Sequence, residues 1–376
     1  MDKKFRIIDE HVHCSPQTDV RYLAEFLSEA GTDMAVIQAV SHSRCLSLVP
    51  EALVMKAMFP GRFFVFGSPD SSAYYFHRDD LGEYLAGYMK RLSELGCDGI
   101  KMLEGKPQMR KMLPIPDFDD RSWEKYWEYV EESGTPVTFH VNDPENHWSN
   151  DVSDWVKKQG WWYDETFVNN EDQYRQVLNV LKRHESLRLI LAHFFFLSAR
   201  LERLDDILDR FPGVMVDLTP GIEMYENFSR NKEETEAFFE KHRKRIIYGT
   251  DIGGRCILTN ENDSFNEKEN FRRPVIVREF LCGTEEREIV SDGNYLIQRE
   301  PFVMRPLGLS GERLEEIFSG NILRQIGHEP KSVCGDAIME ECAEWRRKLK
   351  LMQEKGLAVS PDYSQIELAE RYFNKN

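Results

Sequence analysis

Several absences narrow what this chain can be. No continuous apolar run approaches the ~20 residues that a membrane-spanning helix needs. The opening Met1-Asp2-Lys3-Lys4 leads into a strand-like segment without a signal-peptide pattern, so a cytoplasmic location away from membranes is the expectation. Cationic residues are the minority, with 49 Lys and Arg against 65 Asp and Glu and a formal charge of −16. A nucleic-acid partner, which needs clustered cations to meet its phosphates, is therefore not expected. None of the seven cysteines forms a Cys-x-x-Cys spacing, which argues against a disulfide framework or a structural zinc knuckle. Nor does a glycine-rich phosphate loop follow the first strand-like run. His11-Val12-His13-Cys14-Ser15-Pro16 stands there instead.

What is present is a regular beat. Eight β-rich runs, at 5–12, 34–39, 62–67, 98–102, 136–141, 187–193, 214–218 and 245–249, alternate with segments of helical spacing. Several, such as Leu189-Ile190-Leu191-Ala192, are continuously apolar, as strands buried on both faces of a parallel sheet are. Eight such repeats predict a closed (β/α)8 TIM barrel, with an open doubly wound sheet as the alternative. A long aromatic segment at 142–167 follows the fifth run, and a longer insertion at 252–305, polar and charged through 260–273, follows the eighth. Segments of that length are expected to be functional covers or contact surfaces. The expected organisation is a barrel domain over 1–330 and a helical extension over 331–376. Ile338, Cys342, Trp345, Leu349 and Met352 give that extension an apolar stripe for the barrel or a partner subunit, and a homodimer is one arrangement it allows.

Catalytic groups of such barrels collect at the C-terminal ends of the strands. His11 and His13 lie two apart at the end of the first, so both imidazoles face one point and supply half of a tetrahedral metal shell. Lys101 ends the fourth, His140 the fifth and His193 the sixth, while His42 and Asp251 lie just past the second and eighth. Five of the chain's ten histidines thus occupy strand exits, and that coincidence points to metal chemistry. Arg44, Arg200 and Arg255 follow strand exits closely enough to meet a carboxylate in bidentate fashion. Trp148, Trp161 and Trp162 either cover an apolar substrate or pack their own loop, and His42 either lines the mouth or is a surface histidine.

Together, Ile7-Ile8-Asp9-Glu10-His11-Val12-His13, Thr138-Phe139-His140, Leu191-Ala192-His193 and Tyr248-Gly249-Thr250-Asp251 resemble the metal motifs of the amidohydrolase superfamily. Gly99-Ile100-Lys101-Met102 and the late segment 307–323 are similar to its amidohydrolase-related branch, which holds metal-dependent hydrolases and non-oxidative decarboxylases. The resemblance implies that His11, His13, His140 and Asp251 bind one divalent ion, zinc first, with manganese and iron(II) as alternatives. It implies a second ion if Lys101 is carboxylated and bridges. Asp251 and His193 are the implied proton-handling residues, and Lys101, His42, Arg44, Trp148 and Arg255 are candidates for binding a small, carboxylate-bearing substrate. The implied reaction is hydrolysis of an ester, lactone or amide by metal-activated water. The alternatives are decarboxylation on the same scaffold and a non-catalytic barrel that keeps a metal.

Overall fold

The computed structural model describes residues 5–15, 18–42, 46–149, 152, 154–221, 223–254, 265–290, 301–357 and 361–375. Eight parallel strands follow one another around a barrel: β1 (Ile8–Val12), β2 (Met34–Gln38), β3 (Phe63–Gly67), β4 (Gly99–Gly105), β5 (Val137–Val141), β6 (Leu189–Leu191), β7 (Met215–Asp217) and β8 (Ile246–Ile247). Each pairs with its successor, from Ile8 opposite Met34 to Ile246 opposite Val216. At the seam between β8 and β1, the N–H of Glu10 donates to Tyr248 O (3.0 Å), that of Asp251 to His11 O (2.8 Å) and that of His13 to Ile252 O (2.8 Å). The open-sheet alternative is thereby excluded. Strands β1 to β5 are buried along their whole length, since the barrel interior covers one face and a ring of helices the other.

The ring consists of α1 (Val20–Glu29), α2 (Val49–Met58), α3 (Leu81–Leu95), α4 (Glu124–Ser133), α5 (Asn170–Arg183), α6 (Leu201–Arg210) and α7 (Lys232–Lys241). Local chemistry sets several of its boundaries. Asp19 caps α1 by accepting the N–H groups of Arg21 and Tyr22, and Asn169 caps α5 through Glu171 N–H. Within the insertion after β8, α8 (Glu267–Cys282) forms despite Pro274 in its interior. It buries Glu269, Asn270 and Arg273 in its first half and Ile276, Val277, Phe280 and Leu281 in its second, so polar and apolar residues share the covered face and the amphipathic signal that reveals a helix is weak in this stretch. Farther on, α9 (Asn321–Ile326) closes the barrel floor. Ile322 packs with Ile8, Met34, Phe64 and Ile247, and the Asn321 amide donates to Arg243 O (2.7 Å) and Ile246 O (2.5 Å).

The extension forms α10 (Gly335–Glu354) and α11 (Ser364–Phe373). Helix α10 lies against α3, and α11 against α10 and α2. Trp345 Nε1 donates to Tyr88 OH (3.1 Å), and Lys348 Nζ meets Asp70 Oδ2 at 2.8 Å with both side chains buried. Among the described residues, no helix is long and apolar enough to cross a membrane.

Burial alone would raise the Asp70 carboxyl, but Lys348, with Ser72 and Tyr84, outweighs it and holds the group below the usual carboxylate range. A depressed folded value means stability that is present above about pH 4 and lost as pH falls through the native value. Lys348→Met strands this buried charge and should cost about 3 kcal/mol in urea unfolding at neutral pH. A loss below about 1 kcal/mol, the scale of an exposed pair, would show that α10 is not docked through this contact.

Candidate active site

The first strand brings two imidazoles together at the barrel mouth. Its register shifts between Asp9 and Val12, so the consecutive residues Glu10 and His11 both approach the Asp217 side of the barrel, with Glu10 Oε2 at 3.9 Å from His11 Nδ1. His11 Nδ1 donates to Asp217 Oδ2 (2.8 Å), and His13 Nδ1 to the Gln38 carbonyl (3.0 Å). A carboxylate and a carbonyl can only accept, so each ring carries its proton on Nδ1. The two Nε2 atoms face each other at 3.1 Å, and Asp251 Oδ1 lies 3.3 Å from that of His13 and 4.0 Å from that of His11. His11, His13 and Asp251 offer ligand atoms that all lie within 4.8 Å of one another. Two lone-pair nitrogens 3.1 Å apart cannot satisfy each other, whereas a cation between them and the carboxylate would satisfy both.

Asp251 is fixed from two sides. Its backbone takes a left-handed φ of 58°, and Arg273 on α8 donates to its Oδ2 (2.9 Å) and to Glu269 Oε1 (2.9 Å). Burial opposes its ionisation, but Arg273 and the two imidazoles hold the carboxyl well below its usual range. The next turn leaves no room for side chains. A Cβ at Gly254 would lie 2.0 Å from Asp251 Oδ1, and one at Gly253, whose φ is +81°, would lie 2.3 Å from His13 O.

Lys101 is buried, and its Nζ donates to His11 Nε2 at 2.8 Å. Burial lowers its pKa to about 8, against the pull of Glu10, Asp217 and Asp251. His140 ends β5 with Nε2 against Asn142 O (2.9 Å) and 3.5 Å from Asp143, and its ring centroid lies 4.8 Å from that of His193. With the Nε2 proton committed to a carbonyl, Nδ1 is the lone-pair nitrogen of this ring. His140 is thus close to the cluster without belonging to its three-residue core.

The strand expected over 187–193 ends at Leu191, and His193 stands instead in a turn whose residues 193–196 all have φ between 54° and 57°. Two contacts shape this turn. The His193 N–H donates to Asp217 Oδ1 (2.7 Å), and its Nδ1 lies 3.4 Å from Thr219 O. Its ring stacks on Phe196 (5.1 Å) and lies 5.5 Å from that of His11. Burial first, then His140, pulls this imidazole well below its ordinary value, so it is neutral at pH 7.

The remaining candidates scatter. His42 lies at the exit of β2, where its backbone pairs with Leu46. Arg44 and Arg255 fall outside the described residues. Trp148 packs on Tyr163 (4.7 Å) inside the insertion after β5, where Trp161 donates to Gln108 Oε1 (3.1 Å), and Arg200 pairs with Glu145 (2.9 Å). Three groups at the site escaped sequence reading. Asp217 had a signal, as the lone carboxylate in the apolar run 214–218, and Glu10 sits inside the histidine motif itself. Arg273 had none, because only the packing of α8 brings it to Asp251.

Compared with known proteins, the sequence model of a family described as Amidohydrolase matches residues 78–324. Among solved structures, the chain is similar to an amidohydrolase II at 11% identity and a TM-score of 0.53, covering 85% of this chain and 99% of that one. It is similar to a putative amidohydrolase from Staphylococcus aureus at 14% identity and a TM-score of 0.52, covering 86% and 100%. It also resembles Metarhizium anisopliae IDCase in apo form, at 13% identity and a TM-score of 0.52, covering 88% and 99%. At these identities the structural likeness is one of fold. No curated protein matches the sequence.

Asp217→Asn removes an acceptor that fixes the His11 tautomer, so zinc affinity should fall about 10–100-fold, as measured by competition with a chromogenic chelator. Unchanged affinity would mean that the orientation of His11 does not depend on Asp217.

Proposed function

This chain belongs to the amidohydrolase family, and on that premise we propose that it is a metal-dependent hydrolase cleaving an ester, lactone or amide bond of a small, carboxylate-bearing substrate. The observation that carries the reading is the convergence of His11 Nε2, His13 Nε2 and the Asp251 carboxylate at one point of the barrel mouth. These three would hold a divalent ion, zinc first because borderline imidazole nitrogens suit it, with His140 joining through Nδ1. Bound there, zinc supplies a Lewis acid and a water of lowered pKa. A single ion is favoured, because carboxylating Lys101 would add another anion beside Glu10, Asp217 and Asp251.

The protein's own groups divide the remaining work. Asp251, kept ionised by Arg273, accepts the proton of the attacking water. His193 is neutral and, if its Nδ1–H faces Thr219, presents Nε2 to take up a proton and return it to the leaving group. Lys101 would meet the substrate carboxylate once His11 turns its lone pair to the ion, and His42, Arg44 and Arg255 stay candidates for further contacts on the sequence alone. Trp148 would close the apolar side.

The test is a panel of lactones, esters and amides of small carboxylic acids, run alongside carbon dioxide release from hydroxybenzoates, on zinc-loaded protein. Hydrolysis is expected, with Asp251→Asn and His193→Asn each lowering kcat/KM by about 10²–10⁴-fold and His193→Asn keeping its zinc. Carbon dioxide release without hydrolysis would overturn the reading in favour of a decarboxylase.

Acid sensitivity offers a second check. Burial first, then Lys101, brings the His11 pKa down to about 4. A folded value below that of the unfolded chain means that the native imidazole stays neutral between about pH 6.5 and 4 while unfolded histidine takes up a proton. Metal-free protein should therefore lose stability as pH falls from about 6.5. A stability that stays flat between about pH 6.5 and 5 would show that the fold does not hold His11 neutral.

A further inference from the structure

Four consecutive residues, His193 to Phe196, hold φ between 54° and 57°, where a side chain opposes the backbone. Three of them are phenylalanines, at angles that glycine or asparagine accepts more readily. Burial offsets the strain at two. Phe194 is enclosed among Phe228, Phe238 and Phe239, and the equally buried Phe195 ring lies 4.9 Å from that of Tyr174. Phe196 is different. It is only partly buried and, among the described residues, joins none of the hydrophobic clusters. Its ring stacks instead on the His193 imidazole, at 5.1 Å and 29°, and meets that of His140 at 5.4 Å and 58°.

A backbone outlier that the core does not explain points to a functional constraint. His193 supplies one. The contact from its Nδ1 to Thr219 O is 3.4 Å long, beyond the ordinary range for a nitrogen donor, and cannot by itself fix the plane of the imidazole. Two of the rings around it, His11 at 5.5 Å and His140 at 4.8 Å, are themselves candidate metal ligands. Phe196 has no such second task, and its flat face covers that of His193. With the plane set by the stack, Nδ1 is directed at Thr219 and Nε2 is left for the substrate.

We infer that Phe196 is a positioning residue, whose ring fixes the plane and hence the tautomer of His193. The inference rests on the proton-handling role given to His193 above. One aromatic pair contributes at most about tenfold, so losing the stack should cost far less than losing the imidazole itself.

The first test needs no activity. In metal-free protein at about pH 8, above the ordinary histidine pKa, ¹⁵N NMR should show His193 as a single Nδ1–H tautomer. Phe196→Leu keeps an apolar side chain without the flat face, and should turn that signal into an average of both tautomers. Phe196→Tyr should restore the single form. Phe196→Gly, whose backbone takes this φ freely, should show the same average and serves if Phe196→Leu does not fold. On zinc-loaded protein hydrolysing its substrate, Phe196→Leu should lower kcat about tenfold at unchanged KM, with no further loss in a His193→Asn background. An unaltered single tautomer without the ring, or an equal loss of rate with and without His193, would overturn the assignment. If no ester, lactone or amide is hydrolysed, the tautomer still decides whether Phe196 positions His193, and only the reaction proposed above falls.

Discussion

Asp217 accepts three hydrogen bonds at the end of β7: from the His11 ring at 2.8 Å, from the His193 backbone at 2.7 Å and from the Thr219 backbone at 3.1 Å. A carboxylate this deeply buried is costly to ionise, and only close donors and neighbouring positive charge make it tolerable. Burial indeed pushes its pKa up, but His11, His193 and Lys101 more than reverse the effect. Remove that one acceptor and two things lose their definition at once. His11 no longer has a fixed tautomer, and the backbone that carries His193 has no anchor. The geometry of β1, β6 and β7 at the barrel mouth is therefore a consequence of one buried charge.

The left-handed turn at 193–196 shows the same dependence from the backbone side. Side chains disfavour positive φ, and four such residues in succession persist only where surroundings over-determine them. Here Asp217 holds the first residue, the Tyr174 hydroxyl donates to Phe195 O (3.0 Å) near the end, and Phe194 sits among Phe228, Phe238 and Phe239. The return is a histidine turned inward against His140 and His11 rather than continuing along the sheet. The loop after β8 repeats the device at Asp251, with Arg273 as the external brace.

Much of the fold was legible because its signals are local. Apolar runs such as 189–192 mark strands with two covered faces. The His11/His13 pair was legible for the same reason, since side chains two apart share a strand face. Helix α8 was not, because it buries Glu269, Asn270 and Arg273 alongside Ile276, Val277, Phe280 and Leu281 and so blurs the polarity by which amphipathic helices are recognised. The end of β6 was misplaced by two residues, because nothing in Leu191-Ala192-His193 announces that Asp217 will capture the His193 N–H.

The order of strands and helices, the presence of imidazoles at their exits and the excess of negative charge were determined by the sequence alone, through periodicities and residue types that act over a few positions. Which of those groups meet was decided only by the closed barrel. His11 and Asp217 are brought together by closure of the eight-stranded barrel, and Asp251 and Arg273 by the docking of a helix with no local signature. Contacts of that kind depend on the sum of many burial and hydrogen-bonding choices made elsewhere in the chain, so no window of residues contains them.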